Sequence, residues 1–405
     1  METVNKKSKP NVMHGLPEKV IFCKRCVMSN QRPSSSPELR KNSSDIETVH
    51  FNNDGVCHAC LYSDLKEEID WKDREDKLLR LLDEHRRNDG RHDVVVPGSG
   101  GKDSIYVSHI LKYRYGMNPI TVTWAPHMYT DIGWKNFQNW LFVGGFDNIL
   151  YTPNPKIHSV LTRLAFINIL NPFQPFIIGQ KNLAPRIALD YDIPLIMYGE
   201  NQAEYHNKIS ETETPLMDRS HFTASANQVH YFGGVEQGDL INHGIKQSDL
   251  QPYFPISKLD AEKKDINIHY MSYYHKWKPQ DNYYYSVENC NFEANPERSE
   301  GTYSKYASLD DKIDGFHYYT SYIKFGQGRA MNDAAHEIRD NHIDRNEAVA
   351  LVKKFDGEFP KKYFKEFLAY IDITEDTFFK TIDRNRSPHL WAQRDDTWFL
   401  KHLVN

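Results

Sequence analysis

The sequence predicts an α/β protein: a parallel β-sheet with helices on both faces, an N-terminal cysteine-knuckle module and a mainly helical C-terminal region. Three observations carry this prediction. Short apolar, β-branched runs alternate with amphipathic segments between residues 93 and 198, the pattern of a parallel sheet with crossover helices. One of these runs, Val94 to Val96, passes through the turn Pro97-Gly98-Ser99-Gly100-Gly101 into an amphipathic segment. Ahead of it stand two Cys-x-x-Cys pairs, Cys23/Cys26 and Cys57/Cys60.

Residues 1–20 are polar and lack an apolar stretch, so they are expected to form a flexible leader and not a secretory signal. A knuckle module is assigned to 21–75. Each Cys-x-x-Cys offers two sulfurs to one ion, so Cys23, Cys26, Cys57 and Cys60 predict a closed tetrahedral zinc site of structural character. Such a site is worth on the order of 10 kcal/mol to a segment too poor in apolar residues to fold alone. An iron–sulfur cluster is the functional alternative, and disulfides are disfavoured in a reducing compartment.

The α/β domain is assigned to 76–260. A helix is expected from Asp70 to about Arg87, with Asn88-Asp89-Gly90 as its stop. Strands are expected at 94–96, 119–124, 148–152 and 193–198. Helices are expected after Ser104, over 134–143, over 156–170 and around Leu183 to Leu189. Ligands of such sheets bind beyond the carboxyl ends of the strands. That rule places the turn at 97–104, the residues after Trp124, and Gly199-Glu200-Asn201 on one rim. The alternation fades beyond Tyr205, and 206–245 is expected to form loops. The C-terminal region, 261–405, begins with a tyrosine-rich stretch, Tyr270 to Tyr285, suited to stacking, docking or covering a seam. Helices follow, one opened by the capping-box pair Asp344 and Glu347 and another capped by Thr374.

The chemistry is concentrated in Ser99 to Ser104. A strand, a glycine turn and a helix N-terminus aim backbone N–H groups at an anion. Lys102 adds a mobile charge, and Ser99 and Ser104 add hydroxyls. Spelling excludes two common phosphate loops: the Walker A glycine position holds Val96, and the third glycine of the dinucleotide fingerprint falls on Asp103. Asp103 suits either a helix cap or a magnesium ion on a pyrophosphate. Gly199-Glu200-Asn201 suits either a contact to the nucleotide or a solvated strand-end turn.

Charged residues make up 26% of the 405 residues and the net charge is −5, so no basic face for nucleic acid is expected. No run of 18 apolar residues occurs, which argues against a membrane span and leaves a cytoplasmic enzyme as the expectation. Cys290 is the one cysteine outside the knuckles, and a lone cysteine is more often a small buried apolar residue than a nucleophile.

Ser-Gly-Gly-Lys-Asp-Ser (99–104) resembles the PP-loop of ATP pyrophosphatases, whose fold is of the adenine nucleotide α-hydrolase type. The wider chain resembles the bacterial N-acetyl sugar amidotransferase family. The resemblance is carried by CKRCVMSNQRPS from Cys23, GVCHAC ending at Cys60, VVVPGSGGKDS ending at Ser104, IPLIMYGEN ending at Asn201 and ALVKKFDGEFP ending at Pro360. It runs from about Cys23 to Trp391. Ser29 departs from the family pattern, which has proline there.

The resemblance implies an ATP-dependent enzyme of surface-polysaccharide or flagellin-glycan synthesis. Its substrate would be an N-acetyl sugar, expected to be nucleotide-activated, whose acetamido group becomes acetamidino with release of AMP and pyrophosphate. ATP, Mg2+ and structural Zn2+ are the implied cofactors. Ammonia is implied to come from a glutaminase and cyclase-like pair resembling the two subunits of imidazole glycerol phosphate synthase. Lys102 and Asp103 are the implied catalytic residues, and Asp103 the magnesium ligand. Ser99, Gly100, Gly101, Lys102, Asp103, Ser104, Trp124, Gly199, Glu200 and Asn201 are the implied nucleotide contacts. The rival reading, a PP-loop tRNA thiolase, calls for a basic face and for reactive cysteines beside the nucleotide.

Overall fold

The computed structural model describes residues 12–34, 47–205 and 208–405. The first part of the expected leader, and much of the Ser- and Pro-rich stretch between the knuckles, lie outside the described residues.

The centre is a five-stranded, all-parallel sheet. Strands β1 (Val94–Pro97), β2 (Pro119–Trp124), β3 (Asp147–Tyr151) and β4 (Leu195–Tyr198) answer the four expected from sequence. A fifth, Asn267–Tyr270, pairs with β4 from Leu195↔Asn267 to Tyr198↔Tyr270. The sheet therefore continues past residue 260, into the stretch expected to be mainly helical. Sequence reasoning missed this strand because its four residues, Asn-Ile-His-Tyr, alternate over too short a run to stand out from the polar stretch before them.

Alternation along β1 decides the layering. Val94 and Val96 pack with Leu78 and Leu82 of α2 (Trp71–His85) and with Val107 of α3 (Lys102–His109). Val95, on the other face, packs with Leu161 and Leu164 of α5 (Pro155–Ile169) and with Leu183, Ala184 and Ile187 of α6 (Gln174–Asp190). Both faces are covered, as a parallel sheet requires. α4 (Asp131–Phe142) brings Phe137 and Trp140 against Ile105 of α3.

Across the sheet the order is β3-β2-β1-β4 and then the fifth strand. The chain thus builds outward from β1 in one direction, returns, and builds outward in the other. The point of reversal lies between β1 and β4, where the first connections leave toward opposite sides and open a crevice at the carboxyl ends.

The cysteine region does not pack on its neighbours in sequence. Cys23, Val27, Met28 and Ala59 share a cluster with Met331, Ala334, Ala348 and Val352 from two C-terminal helices, Arg329–Arg339 and Arg345–Phe355. Residues 12–20, expected to belong to the flexible leader, are also docked. Leu16 is buried among Phe166, Phe316 and Phe367, and Met13 N–H donates to Ser387 Oγ at 2.9 Å. The physical reason is that Val12, Leu16 and Val20, apolar residues scattered through an otherwise polar leader, all pack into the aromatic C-terminal cluster. Helices Asp314–Phe325, Phe364–Ile371 and Glu375–Arg384 complete the C-terminal region, which ends in a hairpin, Trp391–Arg394 with Thr397–Leu400.

Candidate functional site

β1 delivers the chain to the crevice and two glycines make the turn possible. Gly100 has φ +84°, and a Cβ there would lie 2.6 Å from the Cα of Phe137 in α4. A Cβ on Gly98 would lie 2.2 Å from Ser104 Cβ. Only hydrogen fits at either position. α3 then opens at Lys102 with Gly101 as a cap that has no side chain to offer its N–H groups, so the first-turn donors stay available to a ligand.

Around this turn lies a cavity of about 200 Å³. The structure brings Ser99, Gly100, Gly101, Lys102 and Asp103 together on its wall. Lys102 Nζ is ion-paired with Asp103, and Asn282 Nδ2 donates to the other Asp103 oxygen at 3.1 Å. Asn282 and Ser286 sit on a helix, Pro279–Cys290, that packs along α3; Ser286 Oγ donates to the Lys102 carbonyl at 2.8 Å. Ser104, by contrast, is turned back: its hydroxyl donates to Gly101 O at 2.9 Å.

The rim residues of β4 divide. Gly199 lies beside the turn, with its Cβ position 3.8 Å from Asp103 Cβ. Glu200 is half-buried. Asn201 is held by the backbone: its Nδ2 donates to Glu211 O at 2.9 Å and its Oδ1 accepts from Ala203 N–H at 2.8 Å. Trp124 is 3% exposed and lies in the core, stacked on Tyr151 and pressed against Gly179. It does not line this cavity.

The other wall comes from some 200 residues further along the chain. Tyr306, Ala307, Ser308, Leu309, Asp310 and Arg329 face the glycine turn. The segment is pinned to the start of α4: Thr130 N–H donates to Asp310 O at 3.2 Å, and Thr130 Oγ1 donates to Leu309 O. Gly133 is required there, since a Cβ would fall 2.3 Å from Asp310 Cα. Burial pushes the Asp310 carboxyl upward, and a hydrogen bond from Ser99 opposes that shift. Sequence reasoning missed this wall. The one signal was the acidic cluster Ser308-Leu-Asp-Asp-Lys-Ile-Asp314, which alone reads as a solvated face.

The tyrosine-rich stretch buttresses α3. Tyr106 OH and Tyr115 OH both contact His275, at 2.9 and 2.7 Å, and Tyr285 OH contacts His109 at 2.8 Å. Trp277 packs edge-on to Tyr106. Cys290 is fully buried, and burial pushes its thiol up to about 12, which suits an apolar filler and not a nucleophile.

A second constellation is the knuckle pair. The four Sγ atoms lie within 4.8 Å of one another and all four residues are buried. Cys26 and Cys57 sulfurs are 3.6 Å apart and those of Cys23 and Cys60 are 4.0 Å apart. A tetrahedral zinc site with Zn–S near 2.3 Å has an edge of about 3.8 Å, so the geometry fits zinc, whereas a disulfide needs about 2.05 Å. N–H groups of Arg25, Cys26 and Cys57 point at Cys23 Sγ at 3.3–3.4 Å, a donor set that favours a thiolate. Four thiolates leave no open position for chemistry.

Among the described residues no helix is long and apolar enough to cross a membrane. No curated protein matches the chain. The family model of the C-terminal domain of WbpG-like LPS biosynthesis proteins matches residues 300–404. That is about a quarter of the chain, and the matched quarter supplies Tyr306 to Asp310 and Arg329 to the wall facing the glycine turn; this region is therefore similar to a polysaccharide-biosynthesis family.

Proposed function

We propose that the protein is an ATP-dependent amidotransferase that converts the acetamido group of an N-acetyl sugar to an acetamidino group. The observation that carries this reading is the glycine turn at the sheet's switch point, closed by a wall from the region similar to LPS biosynthesis proteins. A helix N-terminus with Lys102 beside it suits phosphate binding, and the family likeness supports a sugar as the acceptor.

An amide is a poor electrophile with a poor leaving group. In the proposed reaction its carbonyl oxygen attacks the α-phosphorus of ATP, the bond to the bridging oxygen breaks, and pyrophosphate leaves. Ammonia then adds to the O-adenylyl imidate carbon, loses a proton, and expels AMP. Charge grows on the phosphates in the first step, so Lys102 and the α3 N–H groups would stabilise it from fixed positions. Asp103 and Asp310 offer carboxylate oxygens in the same cavity, a donor set suited to magnesium. When bound, that ion would neutralise the departing pyrophosphate. Zinc at the four cysteines would hold the N-terminal region against the C-terminal helices. Among the described residues no cysteine lines the cavity, which disfavours the thiolase reading and leaves glutamine hydrolysis to a partner glutaminase.

The test is incubation of the purified protein with ATP, magnesium, ammonium and acetamido sugars, followed by mass spectrometry. AMP, pyrophosphate and a product lighter by about one mass unit, from exchange of O for NH, are expected. Lys102→Ala should lower turnover by about 10²–10³. ADP as product, or wild-type activity in Lys102→Ala, refutes the proposal.

A further inference from the structure

A larger cavity, about 680 Å³, adjoins the phosphate-loop cavity. The two share Ser308, Leu309 and Arg329 on their walls. The segment between them bends at Ser308, which has φ +56°, and Asp311 pairs with Tyr129 as an isolated bridge. Asp310 lines the smaller cavity and Asp311 the larger.

The chemistry of the larger cavity is distinctive in how its charges are satisfied. Three of its four cations, Arg298, Arg329 and Lys312, have carboxylate partners, and the fourth, Lys362, is solvent-exposed. Arg298 grips Glu358 through two bonds, at 2.6 and 2.8 Å. Arg329 Nε donates to Asp333 at 2.8 Å, and its Nη1 donates to Tyr318 OH at 2.6 Å and Ser308 Oγ at 3.0 Å. Lys312 pairs with Glu366. Asp311 and Asp314 face the same space, and burial raises both carboxyls. A protonated carboxyl both donates and accepts hydrogen bonds. Thr130, Ser299, Thr302 and Ser308 add hydroxyl-bearing side chains. The volume falls in the range of small-molecule sites.

Neutralised cations and raised acids are a poor receptor for a polyanion and a good one for a hydroxyl-rich neutral ring. We propose that this cavity is the acceptor site and binds the sugar ring itself, leaving any phosphate outside it. The sugar's amide would reach the phosphate-loop cavity past Ser308 and Arg329. This assignment rests on the nucleotide reading of the smaller cavity and adds the residues and the ligand class of the larger one.

Binding to the full chain separates the two ideas. Methyl glycosides of 2-acetamido sugars are titrated with a non-hydrolysable ATP analogue present, and the analogue is titrated separately. At least one glycoside should bind the wild type. Tyr318→Phe and Asp314→Asn should each weaken glycoside binding by tenfold or more while analogue affinity stays within about twofold. Lys102→Ala should do the reverse. Tyr318→Phe removes one hydroxyl, and an unchanged melting temperature shows that it folds. Failure of every glycoside to bind, unaltered glycoside binding in both cavity variants, or inorganic pyrophosphate displacing the glycoside overturns the acceptor-site assignment. Failure of the ATP analogue to bind the wild type overturns the nucleotide reading instead.

Discussion

Lys66 of α1 (His58–Glu68) and Glu204 form a buried ion pair whose removal gives a large and specific prediction. The side chains are 7% and 5% exposed. Lys66 Nζ donates to both Glu204 oxygens, at 3.1 and 3.0 Å, and to Trp277 O at 3.3 Å. The pair therefore ties the helix that carries Cys60 to the loop leaving β4 and to the aromatic support of α3. Lys66→Ala strands a carboxylate in a space with little water. Breaking a buried pair from one side costs about 3–5 kcal/mol, because the remaining charge keeps its desolvation penalty without its partner. Replacing both members, Lys66→Met with Glu204→Leu, removes both penalties and should recover most of that loss. Urea unfolding followed by tryptophan fluorescence suits the test, since Trp71 Nε1 donates to Lys66 O at 3.0 Å and Trp277 lies on the other side. With a slope of about 3 kcal/mol per molar urea, the single variant's midpoint should fall by roughly 1–1.7 M. A loss below about 1 kcal/mol in Lys66→Ala refutes the reasoning. So does a double variant as unstable as the single.

Gly100→Ala combines a left-handed backbone with a 2.6 Å contact to Phe137 and should cost about 2–5 kcal/mol. Gly101→Ala, whose nearest neighbour is 3.9 Å away, should stay within about 0.5 kcal/mol; equal melting temperatures for the two would contradict this account of the turn. Cys23→Ser or Cys57→Ser should reduce zinc content and stability together, measured by metal analysis and melting; iron with a visible absorption band would point to a cluster instead. Burial raises the Asp311 carboxyl to about 8, against about 3.9 unfolded. In that window the folded chain keeps a proton that the unfolded chain has lost, so this group's contribution falls as pH rises. His127, His269 and His275 are pushed down to about 4 by desolvation and act with the opposite sign, but only below about pH 6.5. Between pH 6.5 and 8, Asp311→Asn should therefore flatten the decline in melting temperature; parallel slopes for the variant and the wild type would refute it.

What the sequence determined by itself was everything encoded in neighbouring residues. β-branched runs marked four strands, two glycines and a lysine marked the turn, and paired cysteines marked the buried four-sulfur cluster. Each of these depends on spacing within a few residues, and spacing is legible in a string. Tertiary structure decided what depends on distant segments meeting. Trp124, next to the rim in sequence, points into the core because Gly179 of α6 leaves it a slot. Asn201 is consumed by its own turn. Asp310 and Arg329 reach the glycine turn only because Thr130 and Gly133 accept the 308–311 segment against α4. No periodicity records that encounter. The same holds for the cysteine region, whose burial partners, Met331, Ala334 and Val352, lie about 300 residues away. Local chemistry fixes which groups a segment carries; packing alone fixes which groups share a cavity.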